Sequence, residues 1–320
     1  MKVLANDGIS QSGIKALEKE GFEVIVKKVS QEQLKDYINN HKIDVLLVRS
    51  ATKVRKELID NCPSLKLIGR GGVGMDNIDV EYAKKKGIHV INTPAASSSS
   101  VAELVFAHLF GGVRQLYHSN RNMPLEGETK FKELKKSYAG GTELRGKTLG
   151  IIGFGRIGRE VAKIALGIGM KVIASDSKVG EAEIELEFYN HQSIRIPIKT
   201  EPVDMLIEHA DFITLHVPAQ EKAVIGAREI EKMKDGVGII NAARGGVLDE
   251  EAVLEAIDSE KISFAAFDTY ENEPNPAIRL LMNESVSLSP HIGASTNEAQ
   301  ERIGIELAEQ IISLLKKEKA

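Results

Sequence analysis

The chain has 320 residues, long enough for two domains that each bury a core, and its formal charge of −4 provides no broad basic face for nucleic acid or an anionic membrane. There is no transmembrane run, the single cysteine, Cys62, cannot close an internal disulfide, and the opening MKVLANDG reads as a first strand and not as a secretion signal. A reducing, cytoplasmic setting is expected, with no nucleic-acid or membrane partner.

Residues 1–95 alternate short apolar runs with amphipathic stretches, the βα rhythm of a parallel sheet. Strands are predicted at Val3–Ala5, Phe22–Val26, Val45–Val48, Leu65–Ile68 and His89–Ile91. A helix is predicted over Ser30–Asn39, with Ser30 and Gln33 spaced as a capping box and Leu34, Tyr37 and Ile38 on one face. Another starts at the cap candidate Asp79 and stops at Gly87. The serines Ser97–Ser100 precede the stripe Val101, Leu104, Val105 and Leu109 and read as a helix start with capping hydroxyls.

From Leu116 to Leu144 the pattern turns polar and irregular, the place for an arm or a partner contact. Regular alternation resumes with the apolar run Thr148–Ile152, followed by Gly153-Phe154-Gly155-Arg156-Ile157-Gly158 and a helix with apolar Ile157, Val161, Ile164, Ala165 and Ile168. In this strand–turn–helix setting the first glycine permits a tight turn, the second lets backbone approach a pyrophosphate, and the third lets helix pack on strand. The next strand, Lys171–Ser175, ends in Asp176, near the offset where an acidic residue accepts from adenosine ribose hydroxyls. A carboxylate there repels a 2′-phosphate, so NAD is expected and not NADP; Ser177-Lys178 is a small hint the other way. Asp204 and Asp211, outside any motif, read as surface or cap residues. Glu181–Pro202 alternates at Ile184, Leu186 and Phe188 and again at Ile194, Ile196 and Ile198, which predicts an added hairpin. A final helix over Thr296–Leu315 carries Ile303, Leu307, Ile311 and Leu314 on one face. No internal repeat is evident.

Downstream of the dinucleotide loop stand Arg244-Gly245-Gly246, Glu273 and His291. A 2-oxo acid offers a carboxylate and a carbonyl, which suit a bidentate guanidinium. Hydride addition leaves charge on the carbonyl oxygen, and an imidazolium can donate the proton it needs. Glu273 is the carboxylate that favours the charged ring. Taken singly, these could be a surface ion-pair residue, a turn acid before Pro274 and a core histidine. Their order and flanking motifs argue for a site.

The motifs VRSATKV (48–54), GRGGVGMDNID (69–79), GTELRGKTLGIIGFGRIGREVA (141–162), NAARGGVLDE (241–250), DTYENEP (268–274) and PHIGAST (290–296) run in register through nearly the whole chain, which resembles the D-isomer-specific 2-hydroxyacid dehydrogenase family. The resemblance implies an α/β fold of two Rossmann-like, doubly wound parallel-sheet domains. Residues 1–97 and 293–320 would form a flavodoxin-like substrate domain, and 98–292 the NAD-binding domain, with 116–144 as a dimerisation arm of a homodimer or higher homo-oligomer. It implies Arg244, Glu273 and His291 as catalytic residues. The NAD contacts would be Gly153, Gly155, Arg156, Ile157, Gly158, Asp176, Val217, Pro218, Ala242, Ala243, Asp268, Gly293 and Ala294, with Asp268 on the nicotinamide carboxamide. Substrate contacts would be Arg49, Ser50 and Lys53, with Lys135 or Lys136 as further cations, and the amides of Gly72, Val73 and Gly74 for a carboxylate. No metal is expected.

The likeness is strongest to members acting on a phosphorylated three-carbon acid, so interconversion of 3-phospho-D-glycerate and 3-phosphohydroxypyruvate is the expected reaction. Because the chain stops at Ala320, feedback through a C-terminal regulatory domain is not expected. Two alternatives stay open. One is a hydroxypyruvate or glyoxylate reductase with the same triad; the other is a non-catalytic NADH-sensing binding protein, since the family includes corepressors.

Overall fold

The computed structural model describes residues 1–317, so the last three residues of the predicted 293–320 segment lie outside it. It divides into two compact units, Met1–Ser100 with the chain from Ala294 onward, and Val101–Gly293.

The first unit runs β1 (Lys2–Ala5), α1 (Gln11–Lys19), β2 (Glu23–Val26), α2 (Gln31–His41), β3 (Val45–Val48), α3 (Lys56–Asp60), β4 (Leu67–Arg70), α4 (Val80–Lys85) and β5 (His89–Asn92). Helix α5 (Ser98–Val113) leads on into the second unit. There follow α6 (Leu116–Ser137), β6 (Thr148–Ile152), α7 (Arg156–Gly167), β7 (Lys171–Ser175), β8 (Glu181–Glu187), β9 (Ser193–Lys199), α8 (Val203–His209), β10 (Phe212–Leu215), α9 (Ala227–Glu231), β11 (Val237–Asn241), α10 (Glu250–Asp258), β12 (Ile262–Phe267), α11 (Ile278–Met282) and β13 (Val286–Leu288). Helix α12 (Asn297–Lys317) returns to the first unit.

The first sheet has the order β2-β1-β3-β4-β5, all parallel, the flavodoxin-like arrangement. Every residue of β3 is buried, as expected where helices cover both faces of a parallel sheet. Leu34, Ile38, Leu58, Ile59 and Ala83 of α2–α4 cover one face together with Cys62, whose thiol burial pushes up to about 11. Leu17 of α1 and Ile303, Leu307 and Ile311 of α12 cover the other. The second sheet, β13-β12-β11-β10-β6-β7, is also parallel. Leu206, Ile230 and Val253 of α8–α10 pack on one side, and Val105, Leu109, Val161 and Ala165 of α5 and α7 on the other.

Four local expectations change. Ser30 sits at the N-cap of α2, but its side chain makes no capping bond, so the box with Gln33 does not form. Asp79 precedes α4, yet its carboxylate accepts from Arg55 Nη1 and Lys56 N instead of capping the helix. Ser100 Oγ bonds Thr296 Oγ1 at 2.8 Å, and Ser98 Oγ finds no partner among the described residues. The stretch read as irregular is mostly the 22-residue α6, kinked at Lys130, with Pro124 inside it. Proline and scattered polar residues hide its helical period. Strands β8 and β9 do pair as a separate antiparallel hairpin, with Ala182, Ile184 and Ile198 in the core beside α7. No described helix is long and apolar enough to cross a membrane.

Candidate active site

The glycine loop joins β6 to α7 in the second unit. Gly153 has φ +95°, and a Cβ there would lie 2.5 Å from His216 O; one on Gly158 would overlap Gly153 O. Above Gly155 nothing lies within 4 Å. The backbone is therefore closed beneath and open where a pyrophosphate would approach, with α7 presenting its first-turn amides. Asp176 follows β7 and braces this loop: Oδ2 accepts from Phe154 N at 2.7 Å, and Oδ1 from Lys178 N and Val179 N. Burial pushes its carboxyl up, but the three amides outweigh that and hold it below the usual carboxylate range. It is therefore ionised at neutral pH beside the loop. Val217 packs near Gly153, and His216 before it is neutral, driven down to about 3 by burial.

Arg244 follows β11. Asn241, buried at the strand end, holds its turn from within: Oδ1 accepts from Ala243 N at 3.1 Å and Nδ2 donates to Arg244 O at 2.8 Å. The guanidinium Nη1 donates to Ala243 O at 2.7 Å. Any side chain at Gly245 would run into Tyr270 O, so this turn packs backbone to backbone on the segment that carries Glu273. Ala242 and Ala243 are buried beneath it.

Glu273 Oε1 accepts from Tyr270 N at 3.1 Å, which leaves Oε2 to meet His291 Nδ1 at 2.8 Å. Tyr270 is fixed in turn, its buried hydroxyl within reach of Phe267 O and Ser289 O and its pKa pushed up to about 12, first by burial. His291 has φ +54° and its side chain is 41 % exposed, so the ring can still meet a ligand. Directly after it, Ile292 N and Gly293 N donate to Asp268 Oδ1 and Oδ2 at 2.8 and 2.9 Å. Pro218 and Ala294 offer backbone oxygens that Gln220 and Gln300 cap.

The residues expected to meet substrate lie in the first unit. Arg49 and Ser50 follow β3 and line a cavity of about 400 Å³ with Asn6, Asp7, Lys27 and Lys28. Asp7 holds this wall: it accepts from Arg49 N at 2.7 Å and from Thr52 N and Oγ1, and pairs with Lys28 Nζ at 2.8 Å. Asn77 closes the loop from the other side, donating to Arg49 O and Thr52 O. The cavity opens at the carboxyl end of β1 and β3, the switch point of the sheet, where ligands bind in open α/β folds. Lys53 is exposed, its backbone paired with the Gln31 amide. The expectation for the glycine loop needs amendment: Gly72 N already donates to Arg70 O at 3.0 Å, which commits one of the three amides within the loop. Lys135 and Lys136 are exposed in the last turn of α6.

Asp7, Asn77, Asn241 and Tyr270 do not emerge from the sequence reading. Asn77 and Asn241 sit inside quoted motifs, but their work is to hold backbone, which no spacing signals. Asp211, read as a surface or cap residue, instead bridges strands, accepting from Thr148 N and pairing with Lys234. Asp204 is an exposed partner of Lys232. Among the described residues no cluster of three His, Cys, Asp or Glu side chains could hold a metal ion.

Comparison with known proteins adds to this geometry. Residues 106–293 match the family described as D-isomer specific 2-hydroxyacid dehydrogenase, NAD binding domain. A hydroxypyruvate reductase of Thermotoga maritima is 44 % identical over 98 % of both chains. A D-3-phosphoglycerate dehydrogenase of Archaeoglobus fulgidus is 41 % identical over 99 % of this chain, which spans 58 % of that relative's length. An NAD+-bound 3-phosphoglycerate dehydrogenase of Entamoeba histolytica superposes with a TM-score of 0.76 at 28 % identity, covering 99 % of this chain and 96 % of that one.

Proposed function

Since the chain belongs to the D-isomer-specific 2-hydroxyacid dehydrogenase family and is an NAD-dependent oxidoreductase, we propose that it interconverts 3-phospho-D-glycerate and 3-phosphohydroxypyruvate, the first step of serine biosynthesis, in the cytoplasm. The bound dinucleotide supplies or accepts the hydride. Arg244 grips the substrate carboxylate and polarises the neighbouring carbonyl oxygen. Glu273 occupies His291 Nδ1, so Nε2 is the nitrogen that gives the proton to that oxygen on reduction and takes it back on oxidation. Asp176 takes the adenosine ribose and Asp268 the nicotinamide carboxamide. The first unit acts as the substrate domain and the second as the NAD domain, and residues 116–144 serve as the arm of a homo-oligomer.

The observation that carries the phosphorylated substrate is the cavity wall of Arg49, Lys27 and Lys28. Lys28 is partly neutralised by Asp7 and Lys27 Nζ lies over the Tyr37 ring, which leaves Arg49 as the principal anchor for a second anionic group. The 44 % identity to a protein named hydroxypyruvate reductase favours the second reading, the same chemistry without the phosphate.

Steady-state NADH oxidation with 3-phosphohydroxypyruvate, hydroxypyruvate, glyoxylate and pyruvate, compared by kcat/KM, separates them. Preference for the phosphorylated acid is the expected result, and preference for hydroxypyruvate moves the assignment to the reductase. Absence of turnover with intact NADH binding would leave a sensor. Arg49→Ala should cost the phosphorylated acid tenfold or more, the ~1.5–3 kcal/mol of a charge-assisted hydrogen bond, and leave glyoxylate nearly untouched.

A further inference from the structure

One buried titratable side chain in the second unit has no part in the chemistry above. His108, on α5, is 6 % exposed and stands between two serine hydroxyls: Nδ1 lies 2.8 Å from Ser287 Oγ and Nε2 lies 2.9 Å from Ser289 Oγ. Ser289 Oγ is in turn 2.6 Å from Asp268 Oδ1. Directions follow from the chemistry of the groups. A carboxylate only accepts, so the single hydroxyl proton of Ser289 goes to Asp268. Ser289 must then accept from His108, which places a proton on Nε2 in either charge state of the ring. Burial moves His108 below the usual imidazole range, with the Asp268 charge acting against it. In the neutral ring Nδ1 is the acceptor and Ser287 its donor. Three bonds therefore run one way, Ser287 to His108 to Ser289 to Asp268.

Their terminus matters. Asp268 Oδ1 is filled by Ser289 Oγ and Ile292 N, whereas Oδ2 accepts one bond among the described residues, from Gly293 N, and keeps capacity for one more donor. The same two amides fix the backbone immediately after His291. We propose that His108 is a positioning residue of the active site: through Ser289 it holds the Asp268 carboxylate in the one orientation that presents Oδ2 to the nicotinamide carboxamide and anchors the loop bearing His291. A leucine in its place fills similar space but donates nothing; Ser289 then loses its donor and the carboxylate can turn.

This rests on the assignment of Asp268 to the nicotinamide, and the test separates the two. Binding of NADH and of ADP-ribose, the same ligand without its nicotinamide, is measured by titration calorimetry for the wild type, His108→Leu, His108→Gln, Ser289→Ala and Asp268→Asn, with kcat alongside. His108→Leu and Ser289→Ala should each weaken NADH roughly five- to fiftyfold, the range of one unsatisfied buried polar group, while ADP-ribose binding stays within about twofold. The double variant should be no worse than the weaker-binding single one, because both cut one chain. His108→Gln, whose amide can donate to Ser289, should recover most of the loss. Equal weakening of both ligands would reduce His108 to a packing residue and overturn the proposal, as would NADH binding unchanged in both single variants. If Asp268→Asn distinguishes the two ligands and the His108 and Ser289 variants do not, the relay falls and the Asp268 assignment stands. If Asp268→Asn distinguishes nothing, both fall. Should His108→Leu fail to fold, Ser289→Ala carries the same comparison.

Discussion

His291 is held in place on both its backbone and its ring. Its positive φ is held by Asp268 through the next two amides, and its ring by Glu273, which Tyr270 N fixes in turn. A glutamine at 273 still reaches Nδ1 but carries no charge to stabilise the imidazolium that forms when His291 takes up a proton. Glu273→Gln should therefore lower kcat by roughly ten- to a hundredfold with the KM for NADH nearly constant, the scale of impaired general acid–base catalysis. Stopped-flow single turnovers would check it, and an unchanged chemical rate would remove Glu273 from the mechanism. Sequence order and motif identified Arg244, Glu273 and His291 as a group. It could not identify His108, whose bonds reach Ser287 and Ser289, or Asn241 and Tyr270, whose short-range bonds to backbone carry no spacing signal.

Among the elements, helix starts show how a local signal can be read correctly as a boundary and wrongly as an interaction. Asp249 caps α10, its side chain accepting from Ala252 N at 2.9 Å, while Ser30 makes no such bond at α2. Asp249→Ala should cost about 1 kcal/mol and Ser30→Ala only a few tenths. Urea melts would decide it, and equal losses would contradict the geometry. Helix α6 failed to show in the sequence for a different reason. Its 22 residues include Pro124 and a break at Lys130, and Leu134 is its one fully buried residue, so no apolar stripe marks it. A helix that buries little writes little into its sequence.

Across the whole molecule the two units repeat a device that no residue pattern announces. Asp44, just before β3, accepts from Lys2 N at 2.8 Å and pairs with Lys66 at 3.1 Å; Asp211, just before β10, accepts from Thr148 N at 2.8 Å and pairs with Lys234 at 2.9 Å. In each sheet this aspartate ties a central strand to the first strand on one side and to the following strand on the other. Burial raises both carboxyls, but their hydrogen bonds and lysines outweigh it and hold them below the usual range, as they do for Asp7. Groups depressed in the folded state contribute stability that is present above the unfolded pKa of about 3.9 and is lost as pH falls below it toward the folded value. Thermal stability should hold from neutral pH to about 5 and drop below about 4. Asp44→Asn and Asp211→Asn should each flatten that drop and lower the Tm at pH 7; an acid limb indifferent to both would reject the explanation.

The amino-acid order alone determined the parallel α/β character and the added hairpin, and raised the expectation of a dinucleotide loop with an acidic partner and of an Arg–Glu–His set. Each is written in a local period or a contiguous motif, and local physics suffices to read such signals. Only the tertiary structure decided which asparagines, aspartates and tyrosines hold those groups in place, that Gly72 commits its amide to its own loop, and that Asp211 spans strands. Those facts depend on which donors meet which acceptors once the chain has closed on itself. A hydrogen bond between residues tens or hundreds of positions apart leaves no periodic trace in the sequence that makes it.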